Sequence, residues 1–200
     1  MKSARSVRIF TGISIATLAI SAISALAFGT VSASITKIDA FAGIDKRPDK
    51  KSSAINYLLV GSDTREGLTK AELKELRVGS VATAAGKRSD TMLLVHISKA
   101  RDKAVLVSIP RDTFALIPAH LNKAGKTIPA VHSKINSAFN WGGAPLLIQT
   151  IEEMTQLKID HYVEVNFAGF ASVIDSLGGI EVCTKKDIDD PKSHLVLSAG

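Results

Sequence analysis

The sequence predicts an α/β domain, an α/β/α sandwich around a mixed central sheet, preceded by an N-terminal transmembrane helix. Three observations carry this. A basic leader precedes an uncharged, apolar stretch. Short apolar runs at Ile55–Val60, Thr91–Ile97, Ala104–Ile109 and His161–Asn166 have strand lengths. Two further segments, around Leu147–Leu157 and Phe167–Leu177, place apolar residues at helical spacing.

Residues 1–8 hold Lys2, Arg5 and Arg8, and form the predicted cytoplasmic N-terminus. Residues 9–35 contain Ile13, Ile15, Leu18, Ile20, Ile23, Leu26 and Phe28 among small residues. A helix needs roughly 20 such residues to cross a bilayer. Positive charge on the short leading side keeps that end inside and sends the rest across. The competing reading is a cleaved signal peptide, because Val31-Ser32-Ala33 resembles a small-residue cleavage site. The apolar region exceeds the usual signal core of roughly 7–15 residues, which favours a retained anchor. Both readings place the remainder outside the cell, as the extracytoplasmic part of a single-pass membrane protein.

Residues 36–54 are polar, carry Pro48 and show no sustained period, so they read as a linker. Residues 55–200 form the predicted domain. Its first strand, Ile55–Val60, ends at Gly61. Glu66–Lys87 is an excursion containing a short helix, Ala71–Arg77, with Thr69 and Glu72 at capping-box spacing. Thr91–Ile97 and Ala104–Ile109 are joined closely enough for a hairpin, and Pro110 stops the second. Residues 115–133 read as surface loop. Gly142-Gly143-Ala144-Pro145 leads into a helix with Leu147, Ile151, Met154 and Leu157 on one face. Phe167–Leu177 is a second helix closed by Gly178-Gly179, after which Ile180–Cys183 resumes a strand.

Composition narrows the function classes. The formal charge is +6, with no dense basic run of the kind a nucleic-acid binder carries. The surplus suits an acidic partner such as phosphate or an anionic surface. Cys183 is the single cysteine, so no disulfide is possible within this sequence, and a partner would have to lie on another chain or on residues outside it. The apolar neighbours of Cys183 suggest a buried strand position. The five histidines lack metal-ligand spacing, and there is no phosphate-cradling Gly-rich loop or Gly-x-Ser-x-Gly elbow.

The informative pattern is Asp and Arg at strand ends. Gly61-Ser62-Asp63-Thr64-Arg65 follows the first strand, Arg88-Ser89-Asp90 precedes the second, and Pro110-Arg111-Asp112 follows the third. In a hairpin the start of one strand and the end of the next share one end of the sheet, so Asp90 and Arg111 should be neighbours. If the first strand runs parallel to the third, Asp63 and Arg65 join them. Carboxylates there suit Mg²⁺, and guanidiniums bind phosphate oxygens bidentately. Taken singly, each corner is more ordinarily a turn former or a solvated salt bridge. Three corners converging on one edge favour the ligand reading without identifying a substrate. Lys134-Ile135-Asn136 with Asn140 and Trp141 either lines a cleft or simply begins a helix. Asp187, Asp189 and Asp190 read as a solvated loop.

Together these segments resemble the LytR-CpsA-Psr family of cell-wall phosphotransferases. The resemblance runs through Leu58-Leu59-Val60-Gly61-Ser62-Asp63-Thr64-Arg65, Arg88-Ser89-Asp90-Thr91-Met92-Leu93 and Ser108-Ile109-Pro110-Arg111-Asp112-Thr113. It continues through Lys134-Ile135-Asn136-Ser137-Ala138-Phe139, Ile159-Asp160-His161-Tyr162 and Asp175-Ser176-Leu177-Gly178-Gly179-Ile180-Glu181-Val182. It implies an extracytoplasmic domain with a hydrophobic tunnel for a polyprenyl chain and an Mg²⁺-dependent pyrophosphate site at its rim. The implied activity joins a glycopolymer, carried on polyprenyl pyrophosphate, to peptidoglycan. Carried onto this sequence, Asp63 and Asp90 would support the metal, with Asp90 the surer ligand or the general-base candidate. Arg65, Arg88 and Arg111 would hold the pyrophosphate, making Asp90 and Arg111 the catalytic pair. Leu147 and Phe170 would line the lipid tunnel or serve the core.

The resemblance also implies an Arg-rich segment, ending in an Arg-Gln pair, after a stretch like Ser198-Ala199-Gly200, where this sequence stops. Either the sequence is a piece of a longer chain, or the protein binds lipid pyrophosphate without transferring it. A hydrolase acting on the same lipid pyrophosphate is the third reading.

Overall fold

Alternation along the first strand sets the layout. In the computed structural model, β1 (Ile55–Ser62) turns Asn56, Leu58, Val60 and Ser62 to the buried face. The structure describes residues 14, 17, 18, 20, 21, 36–64, 69, 71, 74, 89–122, 124–191 and 195–200. It divides into two units, Met1–Asp39 and Ala40–Gly200.

Within the second unit, β2 (Ser89–Ile97) pairs antiparallel with β1, and β3 (Ala104–Ile109) pairs antiparallel with β2. The strand β8 (His161–Val165) lies on the other side of β1, parallel to it. The sheet order is β3-β2-β1-β8, a mixed sheet in which β1 and β3 run the same way. The hairpin between β2 and β3 is closed by Ser98 and Lys103, whose N–H and carbonyl bond at 2.9 Å.

One helix, α1 (Ile135–Thr155), covers this sheet. Its Phe139, Leu147, Ile148 and Ile151 are fully buried with Leu58, Val60, Met92 and Leu94 of the strands. The helix is broken at Gly143, whose φ of 67° and ψ of −154° are open essentially to glycine alone. Its neighbour Gly142 has no room for a side chain, because a Cβ would sit 2.5 Å from Leu146 Cβ. The second half therefore restarts at Pro145, a residue suited to a first turn. The buried stripe differs from the one predicted: Leu147 and Ile151 are in the core, but Met154 is exposed and Leu157 lies beyond the helix.

The second helix, α2 (Phe167–Ser176), is capped by Asn166, whose side-chain oxygen accepts the Gly169 N–H at 2.8 Å. It buries none of its residues, so among the described residues a single helical layer packs on the sheet. Several expectations change. Residues 115–133 are not open loop but two small hairpins, β4 (Phe114–Ile117) with β7 (Val131–Lys134) and β5 (His120–Leu121) with β6 (Thr127–Ile128). Ala115 and Ile117 enter the core, the period-2 alternation that the loop reading overlooked. Ile180–Cys183 forms no strand, and Cys183 is exposed. Asp189 and Asp190 belong to β9 (Ile188–Asp190), paired with β10 (Leu195–Leu197).

The segment read as linker is docked from Ala40 onward. Ala40 is buried, and Phe41 and Ile44 pack on the core. The Arg47 guanidinium lies 4.4 Å from the Phe41 ring centroid, and donates to the carboxylate of Glu152 at 2.7 Å and to the Ile159 carbonyl. Glu152 is 1% exposed and also accepts the Ile159 N–H at 2.7 Å. Lys50 reaches Asp160 at 2.6 Å, while the other Asp160 oxygen accepts the Asn56 N–H at 2.9 Å. These contacts were invisible to a reading of local period, because they join residues over 100 positions apart. Of the predicted membrane span, only Ser14, Thr17, Leu18, Ile20 and Ser21 are described. Among the described residues no helix is long and apolar enough to cross a membrane. The excursion Glu66–Lys87 falls almost wholly outside the described residues.

Candidate functional site

The shared direction of β1 and β3 brings the end of β1, the start of β2 and the end of β3 to one sheet end. The ladder there is irregular. Gly61 pairs with Thr91 but Ser62 pairs with Ser89, so Asp90 is the extra residue of a bulge. A bulge re-aims side chains, and here it leaves both Asp90 and Thr91 exposed in sequence rather than alternating. Gly61 permits the close approach, since a Cβ would lie 3.2 Å from Thr91 Cβ.

Across the hairpin, Arg111 Nη1 donates to Asp90 Oδ1 at 2.6 Å. The two side chains are 51% and 50% exposed, so the pair is open to a ligand. The hydrogen bond and charge of Asp90 hold the Arg111 pKa above its ordinary value, which keeps the guanidinium cationic. Next to it, Asp112 accepts from Lys134 Nζ at 3.0 Å, and that bond holds the Asp112 carboxyl below its usual value. The α1 N-terminus is tied to the same corner: the Ile135 N–H bonds to the Thr113 carbonyl and the Asn136 N–H to the Arg111 carbonyl. Lys134 and Asp112 thus extend the charged row, a pairing no local spacing announces.

Beneath the row lies a hydroxyl layer. Ser62 Oγ is 2.7 Å from Thr64 Oγ1, and Ser89, opposite Ser62 in the ladder, is fully buried. Ser89 Oγ has no hydrogen-bond partner among the described residues.

The predicted residues divide accordingly. Asp63, Asp90 and Arg111 are brought to one end of the sheet by the topology, whereas Arg65 and Arg88 lie outside the described residues. Of the two expected along a lipid tunnel, Leu147 is fully buried in the core and Phe170 is 57% exposed on α2. For Mg²⁺ the chemistry of the donors fits. Among the described residues no cluster of three or more His, Cys, Asp or Glu side chains is suited to a metal. Mg²⁺ characteristically takes one or two carboxylates and completes its shell with water and substrate phosphate. Asp63 and Asp90 are two carboxylates of that kind at this sheet end.

The chain is similar to known proteins over most of its length. The chain is 37% identical over 150 residues to "Probable cell wall biosynthesis protein LcpB" of Corynebacterium glutamicum, covering 74% of this chain and 33% of the relative. It is 37% identical to "Polyisoprenyl-teichoic acid--peptidoglycan teichoic acid transferase TagU" of Oceanobacillus iheyensis, over 66% of this chain and 35% of the relative. The chain therefore spans about a third of the length of these curated relatives. Among solved structures, LytR-CPS2A-psr family protein YwtF (TagT) with bound octaprenyl pyrophosphate lipid aligns at a TM-score of 0.54 and 27% identity. That alignment covers 83% of this chain and 54% of TagT. The family profile matches residues 25–200. With the ordered motifs and the mixed sheet, this establishes that the chain belongs to the LytR_cpsA_psr family.

Proposed function

We propose that the protein transfers a glycopolymer from a polyprenyl-pyrophosphate carrier to peptidoglycan, leaving a phosphodiester link. The observation that carries this reading is the Arg111–Asp90 pair at the bulged sheet end, in a chain of this family. The named activity of TagU and the octaprenyl pyrophosphate bound to TagT support it.

The chemistry follows from the charges. The acceptor hydroxyl oxygen attacks the phosphorus next to the glycan, and the bridging P–O bond breaks. The bridging oxygen leaves with polyprenyl phosphate, and the acceptor proton passes to a carboxylate, for which Asp90 is the candidate. Arg111, with Arg65 and Arg88, clamps the pyrophosphate and stabilises charge on the transferring phosphoryl group. Lys134 adds a point charge at the same rim. Asp63 would hold Mg²⁺, with Asp90 either its second ligand or the base, and the ion would supply neutralisation of the pyrophosphate. Phe170 is available for contact with the prenyl chain. A retained helix over residues 9–35 would confine the domain to the membrane that holds the donor. Mature protein beginning at Ser34 would overturn that placement.

Arg111→Ala and Asp90→Ala are each expected to abolish transfer of glycan to peptidoglycan while leaving the circular dichroism and unfolding midpoint unchanged. Retained transfer in both variants would sink the assignment.

A further inference from the structure

Against the first half of α1 lies a cavity of about 520 Å³, within the size range of small-ligand sites. Its walls come from β5, the turn after it, β6, β7 and the first half of α1. His120 and Trp141 are stacked there, with ring centroids 5.5 Å apart and planes 13° from parallel. Ile128 and Val131 add apolar surface, and Asn122 and Asn140 stand at the lining with amide groups.

We infer that this cavity is a glycan subsite, in which a pyranose ring rests on the open outer face of the Trp141–His120 stack with its hydroxyls at Asn140 and His120. A sugar presents C–H bonds on its ring faces and hydroxyls around its edge. It therefore fits an aromatic platform, whose face carries partial negative charge, flanked by amides that both donate and accept. A prenyl tail would have no use for the polar groups, and a free phosphate none for the aromatic surface.

The tautomer of His120 adds to the case. Its Nδ1 lies 2.9 Å from the Pro118 carbonyl, which only accepts, so Nδ1 carries the proton. With Nδ1 so engaged, Nε2 is the ring nitrogen left to hydrogen-bond a sugar hydroxyl. Asn122 Oδ1 is occupied by the Ala124 and Lys126 N–H groups, so that side chain shapes the turn and has its amide nitrogen as the group to offer.

Position relates this cavity to chemistry. Val131 at the cavity and Lys134 at the charged row sit three residues apart on β7, about 10 Å along a strand. Asn140 stands one helical turn, about 6 Å, from Asn136, whose N–H bonds to the Arg111 carbonyl. A sugar in the cavity would lie within a disaccharide's length of Lys134 and the charged row. This rests on the transfer reading for its biological meaning. The ring belongs either to the glycan next to the pyrophosphate or to the acceptor strand.

Trp141 is the single tryptophan of the chain, so its fluorescence reports on this cavity alone. The full chain would be titrated with the trimer of N-acetylglucosamine, as acceptor probe, and with UDP-N-acetylglucosamine, as a pyrophosphate-linked sugar. A saturable change in Trp141 emission is expected with at least one, weakened at least ~10-fold in both Asn140→Ala and His120→Ala. A response to the trimer that persists in Arg111→Ala assigns the acceptor strand. An Arg111-dependent response to the UDP-sugar alone assigns the donor glycan. No response to either probe, in protein that still binds polyprenyl pyrophosphate, overturns the subsite and leaves the transfer reading intact. A Trp141 response to polyprenyl phosphate alone overturns it as well, by making the cavity a tail site. Failure to bind polyprenyl pyrophosphate would instead tell against the transfer reading.

Discussion

Asp90 and Arg111, 21 residues apart, meet at 2.6 Å because a bulge in β2 turns Asp90 toward the end of β3. The guanidinium donates through Nη1, and its planar fork has further N–H groups suited to two phosphate oxygens. Arg111→Lys keeps the charge but not the fork. Its affinity for polyprenyl pyrophosphate is expected to fall about 10-fold, since charge-assisted bidentate bonding is what lysine cannot copy. Isothermal titration would measure this; unchanged affinity would mean that Arg111 acts only as a point charge.

The Arg47–Glu152 pair makes a different prediction, about stability. Glu152 is buried, and it is the hub joining residues 40–54 to the end of α1 and to Ile159. Removing Arg47 strands a carboxylate in the interior. Arg47→Ala is therefore expected to lower unfolding stability by about 3–5 kcal/mol in urea. A loss below about 1 kcal/mol, the range of surface pairs, would show that the contact is peripheral.

Asp160 links stability to acid. Burial pushes its carboxyl up, but the Lys50 hydrogen bond and the Asn56 N–H together pull it further down, to a value below its ordinary 3.8. A carboxyl lowered in the folded state stabilises fully above the unfolded value. That contribution is lost as pH falls through the lower, folded value. Asp160→Asn is expected to be less stable at neutral pH and to show a flatter decline below about pH 3.8. Parallel acid-unfolding curves for the two proteins would contradict this.

Gly143 sets the break in α1. Gly143→Ala is expected to cost about 1–3 kcal/mol, because its φ and ψ lie where side chains are strained. The readout is the urea midpoint. A neutral substitution would show that the chain relaxes to a continuous helix.

Much of this was legible in the sequence where chemistry is local. The strand end at Ile109, the Pro145 restart and the Gly178-Gly179 closure each follow from a backbone rule acting within a few residues, whereas β1 runs on through Gly61 to Ser62. The meeting of Asp90 and Arg111 was legible too, because a hairpin fixes which ends coincide, whereas the place of Asp63 depended on β1 running parallel to β3. The bulge was not, since a run such as Ser-Asp-Thr-Met reads equally as an even ladder. Docking of Arg47 on Glu152 and of Lys50 on Asp160 depends on partners over 100 residues away, which no window detects. The stretch 115–133 misled because its strands are two to four residues long, below the length at which alternation stands out. Cys183 misled for the opposite reason: its neighbours are apolar, yet no strand forms there to bury them.

The central claim concerns which bond breaks, and product analysis tests it most directly. The protein would be incubated with Mg²⁺, a polyprenyl-pyrophosphate-linked glycan labelled in both halves, and peptidoglycan. The expected result is polyprenyl monophosphate released in step with phosphodiester-linked glycan on peptidoglycan, and released only when peptidoglycan is present. Release of the monophosphate at the same rate without peptidoglycan, with glycan phosphate free in solution, would contradict transfer and make the protein a hydrolase.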